Sequence, residues 1–335
     1  MRPATASGRR AWLAGAFGLV PGLALAQADR PEPSSSATTS AKGGARPPRS
    51  LTLLVGGAPG GIADVWARGF APYLERQLPR ATVGVQAIAD TGPLTAARML
   101  AASPADAQLI GAVSAPVLLA RAIEAGDAAL LERLDWLAGI AEEPVILVAP
   151  PATGDFAALR ALGANATLGV PPSGTAPGLL GDALRDQLSI GTLTFPSAAA
   201  ARQAAIAGHV TAAALTLPEA LAPVRDGRLV ALALATRDRC PLLPDVPTLT
   251  ERGVALVAQL QRGFVLPLGV PQRQRERLAA ALQAAVADPE FIARGQAAGF
   301  MPRFSGPDTW PAEVQASTAS LSRRWTQAPW AIGRG

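Results

Sequence analysis

The chain has 335 residues, with 30 Lys and Arg against 25 Asp and Glu for a formal charge of +5, and it contains one cysteine and one histidine. That inventory excludes a disulfide framework, a Cys/His zinc cluster, and any catalytic dyad or triad that does not use His209. The basic residues are dispersed and lack the interleaved aromatics of a nucleic-acid surface, so no nucleic-acid partner is expected. With 49% of residues apolar, core material is ample, and roughly three hundred mature residues favour two domains over one.

At the N-terminus, Arg2, Arg9 and Arg10 precede an apolar run from Ala11 to Ala26 that holds no acidic residue. This is the pattern of an export signal. Ala24-Leu25-Ala26 and Ala26-Gln27-Ala28 supply small-x-small cleavage spacing, which predicts a signal peptide over 1–26. Ser7-Gly8-Arg9-Arg10-Ala11-Trp12-Leu13 fits a twin-arginine signal as well, and the sequence leaves ordinary and twin-arginine export open. Residues 27–49 are rich in Pro, Ser, Thr and Gly with almost no large apolar side chain, so a disordered linker is expected there, with folded structure from Ser50. No later segment has about twenty consecutive uncharged apolar residues. The mature protein is expected to be soluble and periplasmic.

Leu51 to Val55 is a short apolar run between polar and glycine-rich flanks, the appearance of a strand buried on both faces. Ile62, Trp66, Phe70, Leu74 and Leu78 then recur every four residues and predict one buried helix face, with Pro72 expected to kink or end the helix. The alternation continues through expected strands at Val83 to Ile88, Gln108 to Val113, Val145 to Ala149, Thr167 to Val170, Leu193 to Phe195, Val210 to Leu215 and Leu229 to Ala235. Helical patterns fall between nearly all of them, which implies right-handed βαβ crossovers and open, mostly parallel sheets. Amphipathic stretches at Gln272 to Val286 and Asp308 to Trp325 close the chain.

Two strand-to-helix junctions carry the chemistry. Gly56-Gly57-Ala58-Pro59-Gly60-Gly61-Ile62-Ala63-Asp64 follows a buried strand and opens a helix, where free N–H groups and the helix dipole attract an anion without a cationic side chain. It is equally a tight turn, and it is neither a P-loop nor a dinucleotide fingerprint. Val170-Pro171-Pro172-Ser173-Gly174-Thr175-Ala176-Pro177 is a second such junction, in which Ser173 or Thr175 either caps the helix or donates to a bound carboxylate. In open α/β sheets ligands bind beyond the carboxyl ends of strands, where both junctions fall.

The Pro59 to Asp64 segment, together with Leu243-Pro244-Asp245-Val246-Pro247-Thr248-Leu249 followed by Glu251 and Gly253, resembles two hallmark segments of the Bug-type (TctC-like) receptors of tripartite tricarboxylate transporters. The similarity in element order runs from Ser50 to the C-terminal helix and includes Gly263 to Pro271 and the Ala287-Asp288-Pro289-Glu290 turn. The resemblance implies an α/β, two-lobed periplasmic binding protein type II fold, each lobe a mostly parallel sheet flanked by helices. It places lobe 1 at 50–147 and 262–335 and lobe 2 at 148–261. It also implies capture of a small carboxylate or amino-acid-like ligand between the lobes, for delivery to the transporter's membrane permease subunits, with no cofactor, metal or catalytic residue. By position, Pro59, Gly60, Gly61 and Asp64 form the first-lobe loop, Ser173, Gly174 and Thr175 the second-lobe loop, and Ser114 a looser third contact. The chain departs from the family at Ala87 to Leu94, where Asn-x-Pro-Gly-Ala-Gly-Gly is usual, and at Pro104 to Ala107, Gly178, Phe195-Pro196-Ser197 and Thr211. These changes imply a changed ligand or weakened binding.

Asp64 on a first helical turn is favoured by the dipole by about 0.3 to 1 kcal/mol; if it faces the cleft it disfavours a bare carboxylate and favours a ligand ammonium. His209 reads as a surface imidazole and Cys240 as an inert thiol. Two other readings stay open: a sensor that presents its closed form to a signalling receptor, and, less favoured, an α/β enzyme, whose glycine-rich loops would look similar.

Overall fold

The computed structural model describes residues 49–89, 92–106 and 108–330. The expected signal peptide and most of the expected linker lie outside the described residues, as do Asp90 and Thr91 of the atypical segment and Ala107.

The first lobe is built on β1 (Arg49–Gly56), α1 (Ile62–Gln77), β2 (Ala81–Ile88), α2 (Pro93–Ala101), β3 (Leu109–Ala115), α3 (Val117–Glu124) and α4 (Ala129–Glu132). The chain then enters β4 (Leu134–Ala149) and proceeds through α5 (Phe156–Leu162), β5 (Thr167–Val170), α6 (Ala176–Leu188), β6 (Gly191–Thr194), α7 (Ala198–Ile206), β7 (Ala212–Thr216), α8 (Leu217–Arg225) and β8 (Val230–Leu234) of the second lobe. It returns along β9 (Gln259–Pro267) to α9 (Gln272–Val286), α10 (Pro289–Ala298), β10 (Met301–Ser305) and α11 (Trp310–Gln327).

The strands follow the order β2-β1-β3-β9-β4-β7-β5-β6, with β8 and β10 both pairing β4. The βαβ units give parallel pairs: β1 with β2 and β3, and β5 with β6 and β7. Every antiparallel pairing involves β4 or β9. These strands carry the chain between lobes: β4 pairs β9 over Leu134 to Pro144 and β7 over Val145 to Val148. The expected lobe limits at 147/148 and 261/262 fall inside these two strands.

Each sheet is covered on both faces. Leu53, Phe70, Leu74, Ile110, Phe264, Leu282 and Phe291 pack on one face of the first sheet, and Leu54, Leu100, Leu118, Leu119, Val265 and Trp310 on the other. The second sheet is covered by a cluster around Leu147, Leu168, Leu180 and Leu184 and another around Val148, Leu215, Leu217 and Leu234. Burial on both faces makes these strands read as continuous apolar runs.

Helix α1 departs from two expectations, an early end at Pro72 and a buried Ile62. It runs through Pro72 to Gln77, because Phe70, Ala71 and Leu74 on either side are buried, and that packing outweighs the one backbone bond a proline removes. Its first expected core residue, Ile62, is 64% exposed. Three further segments go beyond the expected strands: Leu134 to Pro144 of β4, all of β9, and β10. The first two hold the charged Glu142, Glu143 and Arg262 and the polar Gln261, which hide a strand from a hydrophobic pattern.

Two glycines matter for packing. Gly139 of β4 is the ladder partner of Gly263 of β9, and a Cβ on Gly263 would lie 2.3 Å from the Trp310 ring. The pair opens a slot in the sheet face that the indole fills.

The Pro247-Thr248-Leu249 hallmark is also structural. Thr248 N–H donates to Glu251 Oε2 at 2.7 Å and Glu251 N–H to Thr248 Oγ1 at 3.1 Å, a reciprocal arrangement of the capping-box kind. Leu249 N–H bonds the Leu234 carbonyl, which ties the turn to the end of β8.

Candidate functional site

Between the lobes lies a cavity of ≈ 580 Å³. Its first-lobe wall is Gly60, Ile62, Val65, Trp66, Gly69 and Phe70 from the start of α1, with Phe291, Arg294 and Phe300 beside them. Its second-lobe wall is Pro171, Pro172, Thr175, Pro196, Ser197, Thr216, Pro218 and Glu219, residues that lie at the carboxyl ends of β5, β6 and β7. Open α/β sheets bind ligands there. Glu143, Leu260 and Arg262 from the crossing strands also line it.

Arg262 is the centre of this site. It is 4% exposed, as is Glu143. Its Nε donates to Glu143 Oε1 at 2.7 Å and its Nη1 to Ser114 Oγ at 2.8 Å, and its guanidinium carbon lies 5.4 Å from the Trp66 ring centroid. Two of five guanidinium donors are thereby used. The ion pair bridges β9 to β4, and Ser114 adds β3, so three strands fix one planar cation. Pairing is what permits a charge at this depth, since an isolated one costs several kcal/mol.

The first-lobe loop is braced by a carboxylate of its own. Asp64 is 2% exposed and its Oδ2 accepts from Gly60 N–H at 2.8 Å and Arg68 Nε at 2.9 Å. The Arg68 hydrogen bond, and after it the Gly60 N–H, hold the Asp64 carboxyl below its usual range. Gly61 N–H donates to the Ala58 carbonyl at 2.9 Å. The N–H groups of Gly60 and Gly61 are therefore consumed by the turn, and Asp64 locks the turn from inside. Gly60 has φ +76°, which a β-branched residue adopts only under strain.

In the second-lobe loop, Thr175 is the helix cap: its Oγ1 donates to the Pro172 carbonyl at 2.7 Å and accepts from Gly178 N–H at 3.2 Å. Ser173 and Gly174 turn toward α3. The Ser173 carbonyl accepts from Arg121 Nη2 at 3.2 Å, and a Cβ on Gly174 would lie 3.2 Å from Glu124 Oε1.

Of the residues nominated from sequence, Gly60 and Thr175 line the cavity, and Ser114 stands behind Arg262 as its acceptor. Pro59, Gly61, Asp64, Ser173 and Gly174 are not among its lining residues. Sequence reasoning missed Arg262, Glu143 and Trp66. The available signal was the opposite charges of Glu143 and Arg262 within two largely apolar segments. His209 is exposed, and Cys240 is 1% exposed, its thiol pushed up by burial.

A second cavity of ≈ 580 Å³ lies between α6 and α11, lined by Leu179, Leu180, Gln187, Leu321 and Arg324 among others. Arg324 Nη1 donates to the Leu179 carbonyl at 2.7 Å, so this second space is crossed by a bond that joins the two lobes. Among the described residues no helix is long and apolar enough to cross a membrane.

Comparison with known proteins places this architecture. BugT of Bordetella pertussis is 28% identical over 218 residues, 62% of this chain and 67% of its own length. A TctC solute-binding protein from Polaromonas shares the fold with a TM-score of 0.73 at 18% identity, over 84% of this chain and 99% of its own. MatC of Rhodopseudomonas palustris, solved with bound malate, shares it with a TM-score of 0.66 at 22% identity, over 83% and 99% of the two chains. Residues 66–306 match the tripartite tricarboxylate transporter family receptors, TctC, and the chain belongs to that family.

Proposed function

We propose that this protein is an exported, non-catalytic periplasmic receptor that captures a small carboxylate between its lobes and presents the closed form to the membrane subunits of a tripartite transporter. The observation that carries the reading is the cavity walled by both lobes with the buried Arg262 guanidinium in its lining. A ligand there contacts both walls at once, and it favours closed arrangements only through those extra contacts. The malate in MatC supports a carboxylate ligand, and family membership supports the transporter as recipient. Asp64 gives no support to a ligand ammonium, because its Oδ2 is engaged by Gly60 and Arg68 and the residue does not line the cavity.

Melting the purified mature protein against a panel of carboxylates, amino acids and nucleotides tests this. A rise of several degrees for one or more carboxylates, growing with concentration as linkage requires, is the expected result. A shift with nucleotides alone would overturn it.

A further inference from the structure

The cavity resolves the ligand class further, on the assumption that the receptor reading holds. Three donors of the two loops are taken within the protein: Gly60 N–H by Asp64, Gly61 N–H by Ala58, and the Thr175 hydroxyl by the Pro172 carbonyl. Arg262 is the buried cation in the lining, with donors beyond the two that Glu143 and Ser114 accept. Arg294, the other lining cation, is exposed at the rim. Against them stand Glu143 and Glu219, so the lining charges balance. One ligand carboxylate adds one negative charge beside Arg262, whereas a second carboxylate is stripped of water with no buried cation to receive it.

The rest of the wall is apolar. Ile62 and Val65 are 64% and 55% exposed, unusual for large aliphatic residues on a helix whose neighbours Phe70 and Leu74 are buried, and both face this cavity with Trp66, Leu260 and Phe300. Aliphatic side chains turned into a ligand-sized space mark it for an apolar occupant.

We propose that Arg262 is the specificity-determining residue of this cleft, holding the single carboxylate of an amphipathic acid whose aromatic or alkyl body lies on Ile62, Val65 and Trp66, in preference to small dicarboxylates. Glu143 and Ser114 are positioning residues that set the plane of the guanidinium.

Calorimetric titration of the mature protein with 3-phenylpropionate, its amide, malate and adipate tests this. The wild type is expected to bind 3-phenylpropionate at least about tenfold more tightly than malate, adipate or the amide, about 1.4 kcal/mol or more. Ile62→Asp, at a position exposed enough to leave folding intact, is expected to weaken 3-phenylpropionate at least about tenfold, the same threshold. The pair Arg262→Gln with Glu143→Gln, which leaves no unpaired buried charge, is expected to bind acid and amide alike. Tighter binding of malate or adipate overturns this inference and leaves the carboxylate-receptor reading standing. Binding of no acid at all overturns both. An Ile62→Asp variant with wild-type affinity, or a double variant that still prefers the acid, removes the named residues from the site.

Discussion

Arg262 donates to Glu143 across 2.7 Å with both residues 4% exposed, and the pair joins the two strands along which the chain passes between lobes. A buried pair of this kind contributes little net stability, but breaking it leaves a charge stranded, at a cost of about 3 to 5 kcal/mol. Arg262→Met is expected to lose that amount in urea unfolding, and Arg262→Met combined with Glu143→Met to recover most of it. A single variant as stable as the wild type would show that water reaches Glu143.

Asp182, on α6, is 7% exposed and its Oδ2 has no hydrogen-bond partner among the described residues. Burial raises its pKa, opposed by Arg185 and Arg324. A carboxyl whose folded pKa is raised contributes stability below its unfolded pKa and loses it as pH rises through the folded value. Asp182→Asn is therefore expected to raise the melting temperature at pH 7, with the gain vanishing below about pH 3.9. A pH-independent difference would contradict this.

Gly263 leaves room for Trp310, which stands 5.3 Å from Trp136 in an edge-on pair. Gly263→Val is expected to destabilise by at least about 1 to 3 kcal/mol through overpacking and to change the near-ultraviolet circular dichroism of the tryptophan pair. An unchanged spectrum would mean that the sheet, and not the indole, has moved.

Trp330 is 2% exposed and packs with Ala120 and Ile123 of α3 and Leu179 of α6, while its Nε1–H donates to Glu124. With Arg324 on the Leu179 carbonyl, the stretch from Arg324 to Trp330 staples one lobe to the other. Trp330→Ala is expected to cost about 3 to 5 kcal/mol and to enlarge the radius of gyration measured by solution scattering. A stable variant of unchanged radius would show that lobe closure does not depend on this staple.

The fold was largely legible because doubly covered strands leave apolar runs. Leu51 to Val55 and Thr167 to Val170 are plain from hydrophobicity alone, and Gln272 to Val286 from its helical period. The crossing strands were not, since β4 and β9 carry Glu143 and Arg262 where the pattern requires apolar residues, and those charges are compatible with a buried strand only once paired. The junctions Pro59 to Asp64 and Ser173 to Thr175 were found from glycine, proline and hydroxyl placement. Their hydrogen bonds were not, because whether Gly60 N–H faces a ligand or Asp64 depends on the rotamer of a side chain four residues away. Ile62 was misjudged for a related reason: helical spacing identifies an apolar stripe, and a stripe facing a cleft reads the same as one facing a core.

The most direct test is a crystal structure of the protein with 3-phenylpropionate bound. The carboxylate is expected within hydrogen-bond distance of Arg262, with the ring against Ile62, Val65 and Trp66 and both lobes in contact with the ligand. The acid found in the cavity between α6 and α11, or touching one lobe alone, would contradict the account.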